Sequence, residues 1–324
     1  MADPPLGIID IPELTVDAIR AAYGRCPAPF RDSPQFVHEG LTARLGVPVI
    51  VKVETVNPIR SFKGRGTWVA VERLVGEGRV GPDRAVVCAS AGNFGQGVAY
   101  AARAMGAPAV VYCSTRANRA KVQRMRDLGA AVIEVGEDFD AARGAAASHA
   151  ADRGGELLVD GDDPWIATGA ATLALELTEA VGAGALPAPA VISVPVGNGA
   201  LINGVGSWLR AALPGCRVVG VQAAGADAMV RSWRAGSPID TESADTFADG
   251  IAARVAIPRA VELMRGRVDD MGVVSEDALY AAQAELTAET GITVEGAAAA
   301  SWAGLLAGSR PDGPAVVIIT GSNV

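Results

Sequence analysis

The chain has 324 residues, half of them apolar and a fifth charged, which is enough to bury a sizeable core and too apolar for a disordered chain. Its length suggests roughly two domains, with one large α/β unit as the competing reading. The net charge of −8 argues against bulk nucleic-acid binding. The longest apolar runs, such as Ala315–Ile319, are strand-length and predict no membrane span, and the opening MADPPLGIID has an early acid and no apolar stretch of a secretion signal.

In chain order, short β-branched runs alternate with Ala-rich helical stretches. Val47–Val53 reads as a strand and Thr67–Val75 as a helix. Then follow Ala85–Ala89 (strand), Gly95–Met105 (helix), Ala109–Cys113 (strand), Ala117–Leu128 (helix), Ala131–Val135 (strand) and Phe139–Arg153 (helix). Leu157–Val159 is a short strand before a long helix, Pro164–Val181. The second half continues with Val191–Val194, Ala200–Leu213, Val218–Val221, a mixed stretch, Ser275–Thr290, Glu295–Leu306 and Val316–Thr320. This alternation predicts an α/β fold of two open, mostly parallel twisted sheets with helices on both faces. Gly182–Pro189 reads as a linker or a helix-to-strand loop, and Gly236–Thr246 as a polar surface excursion.

Cys26, Cys88, Cys113 and Cys216 are far apart in sequence and read as reduced core thiols. With only His38 and His149, a histidine metal site or a Ser-His-Asp triad has little to draw on, and no metal is expected. The basic run from Arg116 to Arg126, which includes Lys121, reads as a solvated helix face or an anion patch. Only three lysines occur: Lys52, Lys63 and Lys121. Lys52, inside the strand VIVKVE, is expected to face solvent. Lys63 stands where the turn Asn57–Gly66 runs into a helix, and is either a surface lysine or a neutral, nucleophilic amine favoured by the positive end of the helix dipole.

Three further segments carry polar groups at strand ends. Val194–Leu201 (VPVGNGAL) is a strand, a Gly-rich turn and a helix start, a place where backbone N–H groups can cradle a phosphate or simply make a turn. It lacks the Gly-Lys pair of a nucleotide P-loop and the third glycine of a dinucleotide fingerprint. Ala89–Gly97 (ASAGNFGQG) suits a carboxylate or a phenolic oxygen, or is a capped turn. The end of the chain, VVIITGSNV, either delivers Gly321, Ser322 and Asn323 to the carboxyl end of a strand, where ligands bind in open α/β sheets, or is a short polar tail.

Ser61–Gly66 (SFKGRG), Ser90–Asn93 (SAGN), Gly197–Leu201 (GNGAL) and Thr320–Asn323 (TGSN) occur in the order found in the fold type II pyridoxal-phosphate enzymes. The resemblance is nearest to the threonine and serine dehydratases, is extended by Ala248–Ala252 (ADGIA) and Glu295–Ala298 (EGAA), and runs from about residue 30 to the end. It implies pyridoxal 5'-phosphate as cofactor, a large cofactor-binding domain from residues 1–78 and 158–324, a small mobile domain from 79–157, a homodimer and a cytoplasmic location. It also implies a single catalytic unit without a regulatory domain. By the same resemblance Lys63 is the catalytic residue and forms the imine with the cofactor. The amides of Gly197, Asn198, Gly199, Ala200 and Leu201 hold the phosphate, Asn93 meets the phenolic oxygen and Ser322 the pyridine nitrogen. Ser90, Ala91, Gly92 and Asn93 hold the substrate carboxylate. Phe62 either packs near the ring or is an ordinary core aromatic.

The match has departures. Asn198 and Ala200 interrupt the usual run of glycines, and Phe94 stands where many members have His. Gln222 takes the place of a Glu found in metal-binding members. Ala91 replaces the serine that serves serine racemases as a second-face proton donor. The implied reaction is β-elimination from a 3-hydroxy amino acid such as threonine, serine or a bulkier analogue, giving a 2-oxo acid and ammonia. β-Replacement, racemisation, a threonine-synthase-like reaction, a nucleotide enzyme or a non-catalytic binding protein stand as alternatives.

Overall fold

A computed structural model describes residues 8–324. The N-terminal stretch read above for a secretion signal therefore lies mostly outside the described residues. Among the described residues ten strands form two sheets: β1 (Gln35–Val37), β2 (Val49–Val53), β3 (Val86–Ala89), β4 (Ala109–Cys113), β5 (Ala131–Glu134), β6 (Glu156–Leu157), β7 (Val191–Pro195), β8 (Arg217–Ala223), β9 (Asp270–Val274) and β10 (Ala315–Ile319). The larger sheet has the order β1-β2-β10-β7-β8-β9. Its edge strand β1 is antiparallel and every other pairing in it is parallel. The smaller sheet, β5-β4-β3-β6, is parallel throughout and drawn from residues 86–157.

The central strands are apolar on both faces because helices cover both. Every residue of β2, β7 and β10 is buried, the pattern expected of a doubly covered parallel sheet. Polar side chains mark several of the helix starts. Asp138 accepts from Ala141 N at 2.8 Å at the start of the helix Phe139–Arg153, and Asp163 accepts from Trp165 N at 2.9 Å before Pro164 opens the helix Pro164–Gly182.

The strand Ala109–Cys113 and the helix Phe139–Arg153 fall where the periodicity puts them. The helix expected from Thr67 starts four residues earlier, at Lys63. Its first turn contains two glycines, which hide the helical period. Gly66 serves close packing instead: a Cβ there would stand 2.4 Å from Ile166 O, and one on Gly169 would stand 2.5 Å from Arg65 O. The helices Lys63–Gly76 and Pro164–Gly182 thus meet backbone to backbone. The mixed stretch resolves into the helices Ala228–Ala235 and Pro258–Met264 and the strand β9. Gly182 ends the helix Pro164–Gly182, and residues 183–189 form a helix-to-strand loop.

Lys52 does not face solvent. It is fully buried, and its Nζ donates to Glu176 Oε2 at 2.5 Å and to Ser33 O at 3.1 Å. A strand covered on both faces has no solvent side, so alternation along β2 cannot place a residue outside. Glu176 also accepts from Arg65 Nη1 at 2.6 Å, and Arg65 Nε donates to Glu54 Oε2 at 2.7 Å. Burial alone would lower the proton affinity of the Arg65 guanidinium, but Glu54 and Glu176 hold it above its ordinary value. Burial raises the Glu176 carboxyl, yet Arg65 and Lys52 bring it below its usual range. All four cysteines are buried, and burial pushes the thiols of Cys26 and Cys216 up to about 12.

Candidate active site

Three neighbouring strands of the larger sheet, β2, β10 and β7, end side by side. The segment after β2 carries Lys63, the segment after β7 carries Gly197–Leu201, and the segment after β10 carries Thr320–Asn323. In the smaller sheet, β3 and β6 are adjacent and lead to Ser90–Asn93 and to Asp160. A cavity of about 300 Å³ lies between these ends. Phe62, Lys63, all four residues Ser90–Asn93 and the loop Gly197–Leu201 line it. The structure thus brings together the residues expected from three separate motifs, at the carboxyl ends of strands.

Lys63 opens its helix, with Nζ 4.8 Å from the centre of the Phe62 ring and 6.0 Å from that of Phe94. Its partner is Asp160, whose Oδ2 accepts from Lys63 Nζ at 2.6 Å. Asp160 was not singled out in the sequence. The signal available was an acid directly after the short apolar run LLV, at the carboxyl end of a strand. Phe94 is buried, lines the cavity and also packs into the core under the smaller sheet.

The loop after β7 has the form of an anion cradle. Gly199 precedes the helix Ala200–Ala212 with φ +92°, a left-handed conformation that favours glycine. Ala200 therefore costs the loop nothing, since the position that needs glycine has one. The first backbone bond of that helix runs from Asn203 N to Gly199 O at 3.1 Å. The amides of Asn198, Gly199, Ala200 and Leu201 have no acceptor among the described residues, and the helix end adds a partial positive charge. A phosphate fits this chemistry, and the cavity between loop and Lys63 leaves room for an aromatic ring.

In the turn after β3, Ser90 Oγ accepts from Gly92 N at 3.1 Å and from Gly95 N at 2.9 Å. It shapes the turn, while the amides of Ala91, Asn93 and Phe94 have no acceptor among the described residues. Asn93 Nδ2 donates to Glu295 Oε2 at 2.9 Å. Glu295 also receives Asn323 N at 2.6 Å, and burial raises its carboxyl above the usual range against the pull of Lys121. Ser322 is half-buried; its N–H donates to Arg60 O at 3.1 Å, and Thr320 is the residue of that segment that borders the cavity.

The basic run is not wholly solvated. Lys121 is buried, borders the cavity, and donates to Asp249 Oδ2 at 2.5 Å. It lies on the inner side of a helix whose Arg119 and Arg126 pair outward with Glu134. Gln222, in place of the metal-binding Glu, is buried and accepts from Val230 N at 2.9 Å.

Residues 26–321 match the model of the family described as "Pyridoxal-phosphate dependent enzyme". The chain is 33% identical over 283 residues to an L-threonine ammonia-lyase of Geobacter sulfurreducens, covering 87% of this chain and 68% of that protein. It is 35% identical over 326 residues to the L-threonine dehydratase biosynthetic IlvA of Mycobacterium leprae, covering 99% and 73%. Its fold superposes on the crystal structure of a T.th. threonine deaminase with a TM-score of 0.87 at 30% identity, covering 96% of this chain and 98% of the other. A maize serine racemase gives a TM-score of 0.87 at 27% identity, covering 96% and 94%.

Proposed function

The chain belongs to the family of pyridoxal-phosphate dependent enzymes, and from that premise we propose how its residues carry out β-elimination on a 3-hydroxy amino acid. The activity is that of a pyridoxal-phosphate dependent ammonia-lyase, converting such an amino acid to a 2-oxo acid and ammonia. The observation that carries the assignment of roles is the convergence of Lys63, the free amides of residues 198–201 and the turn Ser90–Asn93 on one cavity.

Bound there, the cofactor supplies an electron sink for the charge that develops at the substrate α-carbon. The amides of Gly197, Asn198, Gly199, Ala200 and Leu201 would hold its phosphate at the helix end. Phe62 packs beside Lys63 and, with Phe94, keeps water from that side of the cavity. Asn93 would meet the phenolic oxygen, and Ser322 would offer the ring nitrogen a hydroxyl rather than a charge. The turn Ser90, Ala91, Gly92 and Asn93 takes the substrate carboxylate, with the amides of Ala91 and Asn93 as its donors. Lys63 then removes the α-proton as general base. The unsaturated amine that results hydrolyses in water to the 2-oxo acid and ammonia.

Residues 79–157 are the moving part in this reading, with 1–78 and 158–324 as the fixed cofactor-binding part. Two ion pairs join the parts near the cavity, Lys121 with Asp249 and Asp140 with Arg254, and both would have to part for residues 79–157 to move away. A homodimeric state and a cytoplasmic location complete the reading, carried over from the resemblance. The test is a screen of threonine, serine and bulkier 3-hydroxy amino acids for 2-oxo acid release by the cofactor-loaded protein. Release from at least one is expected, and a yellow protein that releases none would contradict the assignment.

A further inference from the structure

Among the described residues, the charged side chains that line the cavity are Lys63, Lys121, Asp160, Asp249 and Glu295. Three carboxyls thus stand against two amines. Lys63 Nζ donates to Asp160 and Lys121 Nζ to Asp249, while Glu295 is met by the amides of Asn93 and Asn323. A substrate carboxylate that enters such a cavity needs a counter-charge as well as hydrogen bonds. The turn Ser90–Asn93 offers it the amides of Ala91 and Asn93, which are neutral donors. Lys63 serves the reacting carbon, so Lys121 is the cation that remains.

Lys121 lies in the first turn of the helix Arg119–Asp127, where the cap residue Asn118 accepts from its N–H at 3.3 Å. Its stem runs along the turn after β3: a Cβ placed on Gly92 would stand 3.6 Å from Lys121 Cδ. Its charge reaches the same place, since Lys121 is the strongest influence drawing the Glu295 carboxyl down against burial. The Lys121 side chain is 8% exposed, whereas that of Asp249 is 53% exposed. Holding an ammonium out of water costs free energy, and the bond to Asp249 uses one of its three hydrogens. The other two meet no acceptor among the described residues, and neither do the amides of Ala91 and Asn93. Two sets of unpartnered donors, one charged and one neutral, therefore border one cavity.

We infer that Lys121 is a substrate-binding residue whose ammonium pairs with the α-carboxylate seated on the Ser90–Asn93 turn, while keeping Asp249 as its other partner. This rests on the reading of that turn as the carboxylate site of a β-elimination enzyme. The consequence is a charge requirement on the substrate. A carboxamide in place of the carboxylate keeps an acceptor oxygen for the amides but turns an NH₂ group and no charge toward Lys121. Charge-assisted bonds are about twice as strong as neutral ones, so Lys121 separates the two.

The experiment measures ammonia release from L-serine, L-threonine and L-serinamide by the cofactor-loaded wild type, Lys121→Met, Lys121→Gln and Asp249→Asn. Calorimetric binding of L-alanine and L-alaninamide, which have no β-group to lose, is measured on the same proteins. The expected result is a KM for serine raised roughly tenfold or more in both Lys121 variants, with kcat within about threefold of wild type. Serinamide should change by less than about threefold, so the preference for serine over serinamide falls by about the factor that serine loses. Asp249→Asn should keep that preference, and alanine against alaninamide should show the same pattern in binding. Equal losses for serine and serinamide in the Lys121 variants would overturn the inference, and so would loss of the preference in Asp249→Asn, because either marks a clamp between the two parts rather than a contact with substrate. Lys121 variants that bind alanine and turn over serine as the wild type does would also overturn it and leave the elimination reading standing. Ammonia from no substrate, with no binding of alanine, would overturn both.

Discussion

Asn323 Nδ2 donates to Asn93 Oδ1 at 2.8 Å, tying the end of β10 to the turn after β3 and so one sheet to the other. The same Asn323 donates its N–H to Glu295 and its remaining amide hydrogen to Ile59 O at 2.8 Å. Glu295 in turn receives Asn93 Nδ2. Asn93, assigned to the cofactor's phenolic oxygen, is therefore oriented before any ligand arrives by Asn323, in the segment after β10, and by Glu295, the residue before the helix Gly296–Ala307.

Glu295 makes this triangle sensitive to pH. Its carboxyl is raised by burial, so the folded chain holds that proton more tightly than the unfolded chain. Folding then takes up a proton in the window above the ordinary carboxylate range, and stability falls as pH rises through it. Each tenfold displacement of that proton equilibrium corresponds to about 1.4 kcal/mol. Relative to wild type, Glu295→Gln should gain in thermal midpoint as pH is raised from about 4 to about 8. A difference between the two proteins that stays flat across that range would contradict the effect.

Arg65 is the support behind Lys63. It is fully buried and bonds both Glu54 and Glu176, so its removal leaves the buried Glu54 without its ion-pair partner and Glu176 with Lys52 alone. Arg65→Met should cost about 3–5 kcal/mol in denaturant unfolding. A loss below about 1 kcal/mol, the scale of a surface pair, would show that the cluster relaxes without it.

Ser322 is assigned a neutral hydrogen bond to the ring nitrogen. Ser322→Ala should therefore slow elimination by no more than a lost neutral bond of about 0.5–1.5 kcal/mol allows. Ser322→Asp should slow it further and shift the visible absorbance, because a carboxylate favours the protonated ring. An aspartate variant as active as the alanine variant, with an unchanged spectrum, would rule out this placement.

Ala91 borders the cavity and carries no group that could protonate the substrate on the face away from Lys63. Starting from one serine or threonine enantiomer, 2-oxo acid should form well ahead of the α-epimer, and Ala91→Ser should raise the epimer share. Epimer and 2-oxo acid accumulating at equal rates in the wild type would refute it.

The motif residues were legible because their chemistry is carried by short local patterns: a lysine at a helix start, glycines before a helix, a polar turn after a strand. Alternating β-branched and Ala-rich runs likewise read through to the two sheets. What could not be read depends on contacts distant in sequence. Asp160 lies 97 residues from Lys63 and Glu295 lies 202 residues from Asn93, so nothing near either residue announces the partner. Lys52 misled because a strand in the middle of a covered sheet offers no outside, and its charge is met by Glu176, 124 residues on. Lys121 misled because four of the five basic residues of its run are arginines that do not line the cavity, and only the inward position reaches it.

Lys63 is the amine around which the cavity, the glycine-rich loop Gly197–Leu201 and Asp160 are arranged. The direct measurement is hydride reduction of the cofactor-loaded protein, followed by mass mapping of the modified peptide, with Lys63→Ala as the paired variant. The expected result is one pyridoxyl group, on Lys63, and a variant that loses both the visible absorbance and all turnover. A label on Lys52 or Lys121, or a Lys63→Ala protein that keeps a reducible covalent cofactor, would contradict the assignment.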